Sequence, residues 1–239
     1  MELLEKVSPN YITILEPLLY WRILSINDLY MMTSYDKTKG AFYKSIQRFE
    51  KLKLIESFKN SWNNEKYVYL LRDGLKLLGT EKALLPVNRD LRFHDSITSQ
   101  IGLIFNNLHF VKSVLIDQNI QNHYPNLLNT PDIIIEGVHN KKFRIAIEVE
   151  LSQKSSSRIL NTFKNYSENS FFSAIIYITD KKFIFNAYQK LIEDKEETIK
   201  KDKFIFCYDP TIHRETKNIL NAHTLHNGRS TTLKDLMEL

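Results

Sequence analysis

The sequence predicts a two-domain chain of the α+β or α/β class, and three observations carry that prediction. Its 239 residues exceed one average domain, at roughly 100 to 200 residues each, without reaching two large ones. In the first third, apolar residues recur at helical spacing and give way to two β-rich runs around an Asn-rich turn. From residue 111 onward, strand-like runs alternate with helical patterns, which predicts a mixed sheet flanked by helices. The expected boundaries are 1–88, 89–210 and a tail at 211–239 carrying a short helix.

Composition narrows the class further. Hydrophobic residues at 43% and charged residues at 26% exclude a wholly disordered chain and a coiled-coil rod. No apolar run approaches the roughly 18 residues needed to span a bilayer, and MELLEKVSPN lacks a basic-then-apolar leader pattern, so a soluble, cytoplasmic protein without membrane contact is expected. The single Cys207 allows no intramolecular disulfide and no thiolate zinc cluster. There is no Walker sequence, no GxGxxG and no G-x-S-x-G.

In the first domain, Ile14, Leu18, Trp21 and Leu24 stand at near-helical spacing, and Ser25 with Asp28 resembles an N-cap and its third-position acid. Two short helices are expected there. A third, Thr38 to Leu54, gathers Phe42, Ile46, Phe49 and Leu52 on one face. Lys39, Tyr43, Lys44, Gln47, Arg48 and Lys51 fall away from that face and are of the types that reach phosphates and base edges. The runs Ile55–Lys59 and Lys66–Leu71 then predict a hairpin with Lys59 and Lys66 at its base, and RDGLKLLG a closing helix. The chain's net charge is +5, and residues 37–66 alone carry eight Lys or Arg against three Glu. The rest is balanced, so any attraction for a polyanion is concentrated in this stretch.

This order of three helices, hairpin and helix, with KLKLIES before the hairpin and YLLRDGLKLL after it, resembles a winged helix-turn-helix domain. The resemblance implies double-stranded DNA as partner, with the third helix in the major groove and the hairpin on the backbone.

In the second domain, the connection LPVNRDLRFHDS precedes a helix at Ser96–Leu108. Strands are expected at Val111–Asp117, Asp132–Glu136, Phe143–Leu151, Ala174–Thr179 and Lys203–Tyr208, with helices at Ser155–Ser167 and Phe183–Lys200. Within this frame, Pro131-Asp132 opens one strand, Glu148 and Glu150 share one face near the end of the next, and Lys154 follows. Acidic side chains inside a strand are disfavoured and costly to bury alone, so two on one face ask for a cation or a cluster of donors. Their oxygens suit Mg²⁺ or Mn²⁺. An ion held by Asp132, Glu148 and Glu150 polarises a phosphate and activates water, while Lys154 steadies developing negative charge.

PDIII and IEVELSQK, set in an order of helix, three strands, helix and strand, resemble the PD-(D/E)xK nuclease superfamily with its restriction-endonuclease-like sheet. Glu150 stands where that pattern has its lysine, leaving Lys154 as the replacement. A winged helix before such a core resembles the replication-relaxation family, which includes the MOB-C class of plasmid relaxases. The resemblance spans roughly residues 10–210. It implies binding at a plasmid or mobile-element origin, metal-dependent strand-specific nicking, and relaxosome or replication proteins or a second copy as partners. Asp132, Glu148, Glu150 and Lys154 carry the motif.

Two function classes stay open: a metal-dependent nickase or relaxase, and an inactive DNA-binding accessory factor built on a nuclease-like scaffold. Read singly, Asp132 caps a turn and Glu150 forms a surface ion pair with Lys154. His94-Asp95 reads as a helix-start pair rather than a phosphohydrolase dyad, and His223 and His226 lack the company of a zinc site. Tyr166 is open as a nucleophile. Ser230 to Thr232 before LKDLMEL predict a capped terminal helix.

Overall fold

The computed structural model describes residues 9–33, 38–80, 86–194 and 199–237. The chain divides into two compact units, Met1–Ser99 and Gln100–Leu239. Lys37 of the basic run, and residues 195–198 of the helix expected to reach Lys200, lie outside the described residues.

The first unit runs α1 (Pro9–Leu15), α2 (Pro17–Trp21), β1 (Ile23–Ser25), α3 (Ile26–Met32), α4 (Lys39–Lys51), β2 (Ile55–Lys59), β3 (Lys66–Leu70) and α5 (Arg72–Leu77). Ser25 caps α3 as its spacing predicts, accepting from the Asp28 amide at 3.0 Å. Thr38 caps α4 through the Ala41 amide at 3.3 Å. The fourth helix ends three residues earlier than the sequence indicates. Lys53 takes a left-handed φ of 55°, and the Lys53 and Leu54 amides bond back to Glu50 and Phe49 at 3.0 Å each. This closes the helix in the way a glycine usually does.

Strand β1 was not foreseen. Arg22 turns to φ 64° after α2, and Ile23–Ser25 then pairs antiparallel with β3, Ile23 opposite Tyr69. The sheet order is therefore β1-β3-β2. Phe42, Ile46 and Phe49 of α4 are buried, while Ile23, Phe58, Tyr67, Tyr69 and Val87 form a second apolar cluster. A Cβ at Gly74 would lie 2.2 Å from the Leu54 carbonyl oxygen, so α5 packs this closely because the residue is glycine.

Helix α6 (Arg92–Asn106) carries the boundary between the units. The second unit continues with β4 (Val111–Ile116), α7 (Gln118–His123), β5 (Ile133–His139), β6 (Lys141–Val149), α8 (Ser156–Glu168), β7 (Ala174–Thr179), α9 (Lys182–Glu193), β8 (Phe204–Tyr208), α10 (Ile212–Glu215), β9 (His223–His226), β10 (Arg229–Thr232) and α11 (Leu233–Leu236). Its strands make one seven-stranded mixed sheet in the order β10-β9-β8-β7-β6-β5-β4. Strands β4 to β6 are antiparallel, β6 to β8 parallel, and β8 to β10 antiparallel again.

Helices α8 and α9 cover one face, where Phe163, Tyr166, Phe185 and Tyr188 pack on Ala146, Ile175, Tyr177 and Phe204. All five expected strands are present. Residues 223–232, expected within a tail, instead extend the sheet by two strands, and Thr232 then caps α11 through the Asp235 amide at 3.1 Å.

Candidate functional site

The antiparallel register of β5 and β6 sets Ile133 opposite Ile147, which brings Asp132, at the head of β5, beside the end of β6. Asp132 Oδ2 accepts a hydrogen bond from the Val149 amide at 2.7 Å, so the carboxylate is pinned to the neighbouring strand. Glu148 pairs in parallel register with Tyr177 of β7. By the two-residue alternation of a strand, Glu148 and Glu150 share the face of Ala146, which lies under α8 and α9. The four motif residues identified in the sequence are therefore neighbours in space.

Burial sets their chemistry. Glu150 is 3% exposed and Glu148 8%, whereas Asp132 is half-buried. Lys154, just before the Ser155 N-cap of α8, reaches back to ion-pair with Glu150. That pair was expected on the surface; the structure buries its acid. Tyr166, from the middle of α8, donates to Glu148 Oε1 at 2.5 Å. Desolvation by burial and the Asp132 charge push the Glu148 carboxyl up to about 8. Its hydrogen bond from Tyr166 and the Lys154 charge work the other way, and Glu150 adds to the rise. Burial first, then Glu148, holds the Tyr166 hydroxyl well above its ordinary value. Tyr177 and Tyr188 are raised as well, by burial first and then by the same carboxylates. The site is thus a largely buried acidic cluster packed among three tyrosines.

Tyr166 is 1% exposed and holds its proton tightly, which makes it a donor to Glu148 rather than an accessible nucleophile. Its position on the inner face of α8, in step with Ile159 and Phe163, is the sequence signal for that burial. Lys181, which the sequence did not single out, donates to the Leu151 carbonyl and ties the start of α9 to the chain leaving β6. Among the described residues no group of three or more His, Cys, Asp or Glu is arranged to hold a metal ion. Asp132, Glu148 and Glu150 each engage a protein donor. Their oxygens remain of the hard type that suits Mg²⁺ or Mn²⁺.

In the first unit, Lys39, Tyr43, Lys44, Gln47, Arg48 and Lys51 all lie exposed on α4, opposite its buried Phe42, Ile46 and Phe49. Lys59 is exposed on β2. Lys66 behaves differently, because its ammonium lies 2.7 Å from Glu50 Oε1. Glu50 also accepts from Ser57, so one carboxylate of α4 grips both hairpin strands. Partial burial raises the Glu50 pKa, but the Lys66 and Ser57 bonds and the Lys66 charge outweigh it and hold the carboxyl below its ordinary value.

The remaining histidine pairs separate as well. His94 and Asp95 contact each other at 3.3 Å in the first turn of α6. His223 and His226 fall on opposite faces of β9, the first toward Ser230 and the second bonded to the Asp202 carbonyl at 2.8 Å. Among the described residues no helix is long and apolar enough to cross a membrane. No family model, curated protein or solved structure matches the chain.

Proposed function

We propose that the protein binds double-stranded DNA sequence-specifically through its first unit and nicks it with Mg²⁺ or Mn²⁺ in its second, as a relaxase or endonuclease of plasmid or mobile-element transfer or replication. The observation that carries this reading is the meeting of Asp132 and Glu148 across β5 and β6, with Glu150 and Lys154 beside them. Their frame of α6, β4, β5, β6, α8 and β7 follows the order of the PD-(D/E)xK core, with α7 inserted. In the first unit, the order of helices with β1 against a hairpin is that of a winged helix-turn-helix, and the exposed face of α4 is its recognition surface.

In this reading Asp132 and Glu148 hold the cation and Glu150 stays with Lys154. A divalent ion held there would supply Lewis acidity to a phosphate and lower the pKa of water. Glu148 must shed its proton to serve, and Tyr166 fixes the orientation of the carboxylate. Lys154, partly exposed, is placed to meet negative charge developing on the phosphate. The test is incubation of the protein with supercoiled plasmid carrying its own neighbouring DNA, with Mg²⁺, Mn²⁺ or EDTA. Metal-dependent open circles that Asp132→Asn abolishes support the reading.

A second reading has its own observation. Glu150 occupies the lysine place of the motif and its charge is already met by Lys154. This favours an inactive DNA-binding accessory factor, and salt-dependent binding of that DNA without any nicking establishes it.

A further inference from the structure

We infer that Trp62, at the tip of the β2–β3 hairpin, is a base-stacking residue that recognises an unstacked nucleobase in the bound DNA; this rests on the DNA-binding reading of the first unit. The chain has two tryptophans with opposite fates. Trp21 is 3% exposed in the core, whereas Trp62 is 55% exposed.

Its exposure is built into the turn. Asn60, itself 4% exposed, accepts from the Trp62 amide through its side chain at 2.8 Å, and its own amide bonds to the Glu65 carbonyl at 2.9 Å. Asn63 accepts from the Glu65 amide at 3.0 Å and donates to the Tyr67 hydroxyl at 3.1 Å. Asn64 takes the left-handed φ of 59° that closes the turn. The backbone that carries Trp62 is therefore fixed by the turn's own hydrogen bonds, and Glu50 ties both hairpin strands to α4.

The surroundings specify the occupant. The hairpin follows α4, whose exposed face is cationic, and carries exposed Lys59 next to its turn, so this stretch of chain favours a polyanion. An indole adds little at a phosphate, and its gain comes from lying flat on another π face. Paired, stacked DNA offers base edges in its grooves, and a base face becomes available only where the stack has opened. A hydrogen-bonded turn carrying an exposed tryptophan, following a cationic helix, thus fits DNA that is duplex along the helix and locally opened at the hairpin.

The test uses the full chain, a fluorescein-labelled duplex, and the same duplex with a short central bubble, with binding read by anisotropy at matched salt. The wild type is expected to bind the bubble about tenfold more tightly than the intact duplex, in line with one stacked base. Trp62→Ala should erase that preference while still binding the duplex in a salt-dependent way, and Trp62→Phe should keep most of it. Acrylamide-accessible tryptophan emission should fall on binding the bubble, since Trp21 is already shielded. Equal affinity for the two DNAs, or a preference that survives in Trp62→Ala, overturns the role of Trp62 and leaves DNA binding standing. No salt-dependent binding of either DNA overturns both.

Discussion

Tyr166 donates its hydroxyl hydrogen to Glu148 Oε1 at 2.5 Å, inside the layer between β6 and α8. The bond favours the carboxylate, yet burial and the neighbouring Asp132 prevail and set the Glu148 pKa at about 8, against an ordinary 4.5. Because the folded value is the higher one, Glu148 contributes its full share of stability below about pH 4.5. That share is lost as pH rises through about 8, with a total on the order of 5 kcal/mol. Urea melts between pH 5 and pH 8 should show stability falling with pH. Glu148→Gln, which keeps an acceptor for Tyr166 and removes the titration, should flatten that slope and raise stability at pH 8. An unchanged slope in the variant rejects the assignment.

Tyr166→Phe isolates the hydroxyl from the ring. The ring stays packed against Phe172, and one buried oxygen of Glu148 loses its donor. The expected loss is about 1–3 kcal/mol, the usual cost of an unmet buried acceptor. It should grow with pH, since the carboxylate needs the donor more than the acid does. A loss that is the same at pH 5 and pH 8 would mean that the hydroxyl serves only packing.

Metal binding reads out the same carboxyl. A cation between Asp132 and Glu148 competes with the Glu148 proton, so Mn²⁺ should raise the melting temperature more at pH 8 than at pH 6. Asp132→Asn keeps an acceptor for the Val149 amide and halves the acidic pair, and it should abolish the rise. If Mn²⁺ leaves the melting temperature unmoved at both pH values, the carboxylates are structural.

How far this site is legible in the sequence depends on the range of the interaction. Glu148 and Glu150 are two residues apart, so strand alternation alone puts them on one face, and Pro131-Asp132 marks the head of the adjoining strand. What alternation does not give is depth. The set of Tyr166, Tyr177 and Tyr188 comes from three different elements, and only the parallel crossovers of α8 and α9 bring these to one carboxylate pair. Strand β1 escaped notice because Ile23 and Leu24, following a helix, continue its apolar pattern, and the break at Arg22 is a backbone angle without a glycine to announce it. Strands β9 and β10, at one end of the sheet, are polar and short, HTLH and RSTT, and carry no hydrophobic period to read. The early stop of α4 at Lys51 has the same origin, a lysine in the place of the usual glycine.

Lys154 and Glu150 test whether an ion pair here is structural, catalytic or both. Glu150 is nearly fully buried and Lys154 about two-thirds so. Removing the lysine alone strands a buried charge, and Lys154→Met should cost about 3 kcal/mol. Adding Glu150→Gln should restore most of that stability. Nicking separates the roles: a catalytic Lys154 leaves the stable double variant inactive, whereas a purely structural one lets activity return with stability.

Lys44 and Lys66 make opposite demands on a DNA titration, although both belong to the same basic run. Lys44 is exposed on the outer face of α4, while Lys66 is occupied by Glu50 at 2.7 Å. If the α4 face meets the backbone, Lys44→Ala should lower the slope of log affinity against log salt by about 0.9, the release of one counterion. Lys66→Ala should leave the slope unchanged. It frees Glu50 from its cation and loosens the grip of α4 on β3, so its effect should appear in the melting temperature, with a loss within about 1 kcal/mol for so exposed a pair. A reversed result, with the slope falling only in the Lys66 variant, would move the DNA contact from the helix to the turn end of the hairpin.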